Sequence, residues 1–469
     1  MSTSSEDRRL PGGWTRTKAR RRAGLALAVA VALTVAACSS GKSTGGSSGT
    51  SPSAGGSSST NASASSSGGA SSSCPFPTDS VTLTWWHNAT ADPGKAAWQK
   101  TADDFHAQHP NVSFNVVPIQ NEQFTTKVPA ALESNNPPSL YQQWGGGSEA
   151  TQVKSGKLMD MTACVSSWVD RLGPSAKGWQ VDGKWYGIPY DYHIVGFWYR
   201  TDLFQKAGIT SPPKTMDELY QDIDKLKAAG ITPIALGGKD RWPDAFYWEY
   251  FVLRECPKDT VTSSIANVKF SDPCFVKAGQ DMKKFLDAKP FQTGFLGTPA
   301  QQGAGSSAGL VANGKAAMEL QGDWEILVMP SLTQDKNFAS KLGWFPFPSV
   351  SGGAGDQNAG LGGGDGFSCT YKATNACPAF LEYITSADVQ RYLVKQSAVS
   401  LPSNSEASDA ITDPTLKTVL QYIGTVSYNQ LYFDQALPTD AGQALDSAVA
   451  DFFAGSGSPE SLAASVSSK

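Results

Sequence analysis

Val81-Thr-Leu-Thr-Trp-Trp86 is a short apolar run of strand character, and the residues that follow it decide the fold. Trp98, Ala102 and Phe105 fall on one helical face, and Pro110 closes that helix. Asn111 to Pro118 reads as the next strand, Phe124 to Leu132 as a second helix, and Ser139 to Gln143 as a third strand ending at Trp144-Gly-Gly-Gly147. This alternation is a βαβαβ unit and places the chain in the α/β class. Ligands of open α/β sheets bind beyond the carboxyl ends of the strands, which here means at His87-Asn88 and at Gln143-Trp144.

A second α/β block follows the Asp182-Gly183 hairpin turn. Thr215-Met-Asp-Glu218 is a capping box, and the helix it opens carries Leu219, Ile223 and Leu226 on one face before stopping at Gly230. Ile231 to Leu236 returns as a strand and delivers Gly237-Gly-Lys239-Asp240-Arg-Trp242 at its carboxyl end. No linker separates the blocks, so they should be two lobes packed closely about a cleft.

The full chain of 469 residues has room for two to four domains, and 40% hydrophobic against 17% charged residues is a globular balance. Its net charge is -4, but Arg8, Arg9, Arg16, Lys18 and Arg20 to Arg22 concentrate basic charge at the front. The remainder is more acidic, which argues against nucleic acid as a partner. Behind Arg22 runs an apolar stretch from Ala23 to Ala37, too short to span a membrane comfortably and suited to an export signal. It ends in Val35-Ala-Ala-Cys38, which resembles the lipobox of bacterial lipoproteins; the resemblance implies cleavage before Cys38 and a lipid on its thiol. Ser39 to Ser73 holds 17 Ser and 8 Gly in 35 residues, cannot bury a core, and reads as a flexible tether spanning roughly 30 to 35 Å. Six further cysteines in an exported chain favour disulfides, and the preferred pairs are Cys74 with Cys164, Cys256 with Cys274, and Cys369 with Cys377.

The motifs of common hydrolases, zinc enzymes and nucleotide binders do not occur. His106 and His109 share a ligand-like spacing but sit at a helix end, so no metal site and no cofactor is expected. Glu249, Asp323, Glu325 and Asp365 lie among aromatics, where carboxylates serve more often as acceptors for hydroxyl groups than as a hydrolytic pair. Trp144, Trp242 and Trp324 occupy loop positions beside glycine and polar residues, unlike Trp85, Trp98, Trp185 and Trp198, which read as core. A sugar ring has apolar C–H faces and a hydroxyl rim, so flat aromatic platforms with polar groups around them suit it.

The stretch Gly183-Lys-Trp-Tyr-Gly-Ile-Pro-Tyr-Asp-Tyr-His193, with Phe197-Trp-Tyr-Arg-Thr-Asp202 behind it, resembles the family 1 extracellular solute-binding proteins of carbohydrate ABC importers. Gly314-Lys-Ala-Ala-Met-Glu-Leu-Gln-Gly-Asp-Trp324, Gly343-Trp-Phe-Pro-Phe-Pro348 and Gly362-Gly-Gly-Asp-Gly-Phe367 resemble later motifs of that family in the same order. The resemblance implies a two-lobed, periplasmic-binding-protein-like fold with a hinge and an interlobe cleft, closest to actinobacterial oligosaccharide-binding members. It implies that Trp324 stacks on sugar, with Asp323 capping the next helix, and that Gln143 and Trp144 serve from the third-strand loop. Asp191, His193 and Asp365 would lie at the interlobe crossings, Lys239, Asp240 and Trp242 would face them, and Asp434 would belong to a third strip. Residues 1–37 would be signal, 38–73 tether, 74–191 and 365–425 the first lobe, and 192–364 and 426–469 the second. The implied protein is a monomeric, lipid-anchored receptor on the outer face of the cytoplasmic membrane that hands sugar to an ABC permease. An anchored glycoside hydrolase and a binding protein for a peptide or polyamine are the rival readings. Polyamine binding is disfavoured because the expected site mixes Lys239, His193 and Gln143 with its acids.

Overall fold

The computed structural model describes residues 74–467; Cys38 and the other residues expected to form the signal and tether lie outside the described residues. The first sheet has five strands in the order Val112–Pro118, Val81–His87, Leu140–Gln143, Gly366–Cys369 and Gly187–Pro189. The first three run parallel, and Gly366–Cys369 pairs antiparallel with its neighbours on both sides. Helices Gly94–Gln108 and Phe124–Glu133 make the crossovers. Leu83, Trp85, Trp98 and Phe105 are buried with Phe367 and Phe380 in one apolar cluster, so strand and helix are held by their shared inner face.

The second sheet follows the order Asn429–Leu431, Gly360–Gly363, His193–Arg200, Ala316–Gly322 and Thr232–Ile234, with Leu342–Phe345 also pairing on His193–Arg200. Helix Met216–Ala228 begins with both halves of the Thr215 and Glu218 capping box in place and buries Leu219, Ile223 and Leu226. Helix Trp242–Glu255 is buried from Pro243 to Glu255, as its nearly unbroken apolar sequence requires. Its one fully buried cation, Arg254, donates to the carbonyls of Phe347, Pro348, Asp356 and Ala359 and so holds the chain around it.

The chain passes between the sheets three times, at 190–192, at 364–365 and near 400. These passages bond to one another: Tyr190 N donates to Asp365 O, Tyr192 N to Leu401 O, and Ser403 N to Tyr190 O. Gly364 is required where two of them meet, because a Cβ there would stand 2.5 Å from the Asp191 carbonyl oxygen. Leu401, Ile411, Leu416 and Val419 pack with Ile194, Trp198 and Trp344 of the second sheet. The helix Pro414–Ile423 therefore packs with the second lobe, a correction to its expected place in the first, while Asn404 and Asp409 stay bonded to Thr385 and Arg391 of the first. Helical periodicity marks an apolar face but does not say which sheet the face will cover.

Disulfides join Cys74 to Cys164, Cys256 to Cys274, and Cys369 to Cys377, the three preferred pairs. The first closes a loop of sequence separation 90 and the last a loop of 8. Loop-closure entropy then assigns about 4 to 5 kcal/mol to Cys74–Cys164 and about 2 to 3 to Cys369–Cys377. Replacing each pair by serine and measuring denaturant unfolding should give the larger loss for Cys74 and Cys164.

Candidate functional site

A cavity of about 580 Å³ lies between the two sheets. Asn88, Glu122 and Trp144 line it from the first lobe, and Asp240, Trp242, Phe246, Trp324, Tyr432 and Asp434 from the second. Tyr190, Asp191, His193 and Asp365, from the crossing strands, form its floor. Trp242 is delivered by a γ-turn: Trp242 N donates to Asp240 O at 2.9 Å, and Arg241 between them has φ 68° and ψ -47°. That strained backbone sits at the cavity wall, where local strain commonly marks a functional position. Trp324 folds back over Gly322, where a Cβ would stand 2.2 Å from the ring, and meets His193 edge-on with centroids 5.0 Å apart.

His193 occupies the centre of the floor. Its Nε2 lies 3.1 Å from Asp191 Oδ1 and its Nδ1 3.0 Å from Asp323 Oδ2. Asp323 also accepts from Ile194 N and from the Ser400 hydroxyl. Asp323 is thus not the helix cap expected; the short helix Glu325–Val328 starts after Trp324 with no side-chain cap. The bonding that claims Asp323 comes from residues far away in sequence, which a local capping rule does not see. Asp191 accepts from Asp365 N at 2.6 Å, and Asp365 Oδ2 receives Tyr190 at 3.3 Å and Asn88 at 3.4 Å.

Burial pushes Asp191 up to about 7, although His193 beside it pulls the other way. Burial alone would lower His193, but the charges of Asp191 and Asp323 outweigh it and hold the imidazole well above its ordinary value. Asp191, His193 and Asp365 bring ligand atoms within 4.8 Å of one another, a spacing compatible with a metal ion. Both nitrogens of the raised imidazole are committed as donors to Asp191 and Asp323, so the ring offers a metal no lone pair.

Of the residues singled out in the sequence, Asn88, Trp144, Asp191, His193, Asp240, Trp242, Trp324, Asp365 and Asp434 line the cavity. His87, Gln143 and Lys239 do not. His87 shares a strand face with Leu83 and Trp85, packs 5.0 Å from the Trp85 ring, and accepts from Ala89 N; burial, aided by Lys95, lowers it to about 3. Gln143 has its amide engaged with Gln152 and with Trp144 N and faces a second chamber of about 490 Å³ behind Trp144. Lys239 is exposed and outside the lining. Glu249, Asp323 and Glu325 are fully buried behind the wall, which removes them from the expected set of carboxylates lying beside ligand. Sequence reasoning missed Tyr190, Glu122, Phe246 and Asp446, although Tyr190 stands directly beside the crossing residue Asp191.

The family model for bacterial extracellular solute-binding proteins matches residues 88–391. The chain is 25% identical over 345 residues to a multiple sugar-binding protein of Streptococcus mutans, covering 69% of this chain and 76% of that one. A solved structure reported with xylan utilization by Caldanaerobius polysaccharolyticus superposes with a TM-score of 0.74 at 26% identity, over 82% of this chain and 99% of that one. A chitin oligosaccharide binding protein gives 0.73 at 25% identity, over 83% and 98%.

The buried acids give the fold a pH dependence of definite sign. Glu149, Asp244 and Glu325 are each pushed by burial to about 8. Each keeps a proton in the folded chain where the unfolded chain, titrating near ~4, has lost it, so stability falls as pH rises toward 8. The raised His193 acts alike: its contribution is complete below ~6.5 and is lost as pH rises through its folded value. His87 opposes them only between about 3 and ~6.5. The ligand-free melting temperature should therefore drop from about pH 6.5 to 8.5, and Asp191→Asn should flatten that slope.

Proposed function

Because the chain belongs to the family of bacterial extracellular solute-binding proteins, we propose that it is the substrate-binding component of an ABC importer and takes a sugar or oligosaccharide between its lobes. The observation that carries the reading is the cavity wall: Trp144, Trp242, Trp324 and Tyr432 together with Asn88, Gln301, Asp365 and Asp434. Aromatic faces match the C–H faces of pyranose rings, and the carboxylates and amides accept from and donate to hydroxyl groups. Relatives that carry sugar-binding names, such as the Streptococcus mutans protein, support the same ligand class. The three bonded crossings are the hinge about which the lobes close, and the closed form is what the membrane permease receives. The chemistry is binding without bond cleavage, so incubation with oligosaccharide should create no new reducing ends.

Stacking one tryptophan face on sugar removes on the order of 100 Å² of apolar surface from water, or about 2 to 3 kcal/mol. Trp324→Ala should then weaken sugar affinity by tenfold or more in calorimetry, about 1.4 kcal/mol at least. Trp98→Ala, in the first-lobe core, should instead lower ligand-free stability by about 3 to 5 kcal/mol. Equal losses of stability with unchanged affinity for Trp324→Ala would make that ring a core residue and remove it from the site.

Export and anchoring complete the proposal: the protein is held at the outer face of the cytoplasmic membrane by lipid on Cys38, with 39–73 as tether. No helix among the described residues is long and apolar enough to cross a membrane. Cys38→Ser should move the protein from the membrane fraction to the medium or leave its signal uncleaved, read by fractionation and intact mass.

A further inference from the structure

The cavity carries a charge balance that a neutral sugar does not need. Seven carboxylates line it, including Glu122, Asp240, Asp434 and Asp446, and the single basic side chain among the lining residues is His193. His193 is already bonded to Asp191 and Asp323. Lys239 stays outside, and Arg241 turns its Nη1 to the Ser447 hydroxyl at 3.0 Å. The mixture of charges that disfavoured a cationic ligand in the sequence is therefore absent from the folded site.

The imbalance is concentrated at one place. Asp434 and Asp446 line both the main cavity and the second chamber, so they stand where the two join. Asp446 Oδ1 is buried without a hydrogen-bond partner, and behind it the fully buried Asp244 has neither oxygen bonded. The hydroxyl of Tyr432, a side chain only 6% exposed, lines the same cavity and is also unpartnered. Asp434 Oδ2 accepts from the Gln435 amide at 2.7 Å, whereas Asp446 Oδ1 and both oxygens of Asp244 stay open. Buried acceptors left open in this way are matched by a ligand that brings donors and positive charge.

We propose that the sugar carried by this protein bears a protonated amine, and that Asp434 and Asp446 hold the ammonium at the junction of the two chambers. The inference rests on the sugar-binding reading and narrows it. An ammonium has three N–H donors, and Asp434, Asp446 and the Tyr432 oxygen supply acceptors, with Trp144 and Trp242 in the same cavity adding aromatic faces to a cation. Burial raises Asp434 to about 6 and Asp446 well above its ordinary value; Asp434 and Asp244 add to the rise at Asp446, and Arg241 opposes it. An arriving ammonium favours the charged carboxylates and releases those protons to solvent. A neutral sugar does not.

The test is calorimetry of the purified protein with chitosan oligosaccharides and with their fully N-acetylated counterparts of equal length, which replace the charged amine by a neutral, bulkier amide. Neutral xylo-, cello- and malto-oligosaccharides and spermidine complete the set. The deacetylated oligomer should bind on the order of tenfold more tightly than any neutral one, weaken with added salt, and show a buffer-dependent heat that reports proton release. Asp446→Asn should abolish the preference and Asp446→Glu should retain it; if the asparagine variant does not fold, the salt and buffer dependence of the unmodified protein decides. A neutral oligomer that binds as tightly, with no salt or buffer dependence, overturns the amine and leaves the sugar reading intact. Spermidine binding without any sugar binding overturns the sugar reading itself, and no binding by any probe overturns both.

Discussion

The imidazole of His193 is held between carboxylates that arrive on different passages of the chain, and much else in the molecule depends on that arrangement. Asp191 precedes it on the first crossing, Asp323 comes from the end of the strand Ala316–Gly322, and Ser400 reaches Asp323 from the third crossing. Asp365 on the second crossing is tied to the same group through its amide. Removing any one member leaves a buried charge or acceptor open, which is far costlier than the modest net gain of making such a bond. The cluster therefore fixes the relative path of all three crossings, and through them the edges of both sheets. Trp324 rests on the same imidazole, so the principal aromatic wall is positioned by the hinge itself.

Much of the architecture was legible because it follows local periodicity. The strand at Val81, the helix face of Trp98, Ala102 and Phe105, and the capping box at Thr215 each declare themselves within a few residues. The structure places them within a residue or two of their expected bounds. What periodicity does not encode is which sheet an amphipathic helix covers, and Pro414–Ile423 accordingly went to the other lobe.

The site was legible where a residue type is unusual for its setting, as with a tryptophan in a glycine-rich loop. The expectation fails at two strand positions. His87 lies two residues beyond Trp85 and so faces the core with it, and strand alternation alone was enough to say so. Gln143 ends a strand buried on both faces, where its amide must find partners inside. Asp446 gave no signal at all: it sits in the last long helix, and only folding brings it against Asp434.

The disulfide from Cys74 to Cys164 fastens the first of the described residues to the first lobe, beneath the sheet that contains Val81–His87. A pull applied at Cys74 reaches the first lobe directly through this disulfide. With the chain anchored at Cys38 and the lobes closing as proposed, the first lobe is the stationary jaw and the second swings. A surface that grips the moving jaw can sense occupancy of the cleft, whereas one that grips the fixed jaw learns only that the protein is present.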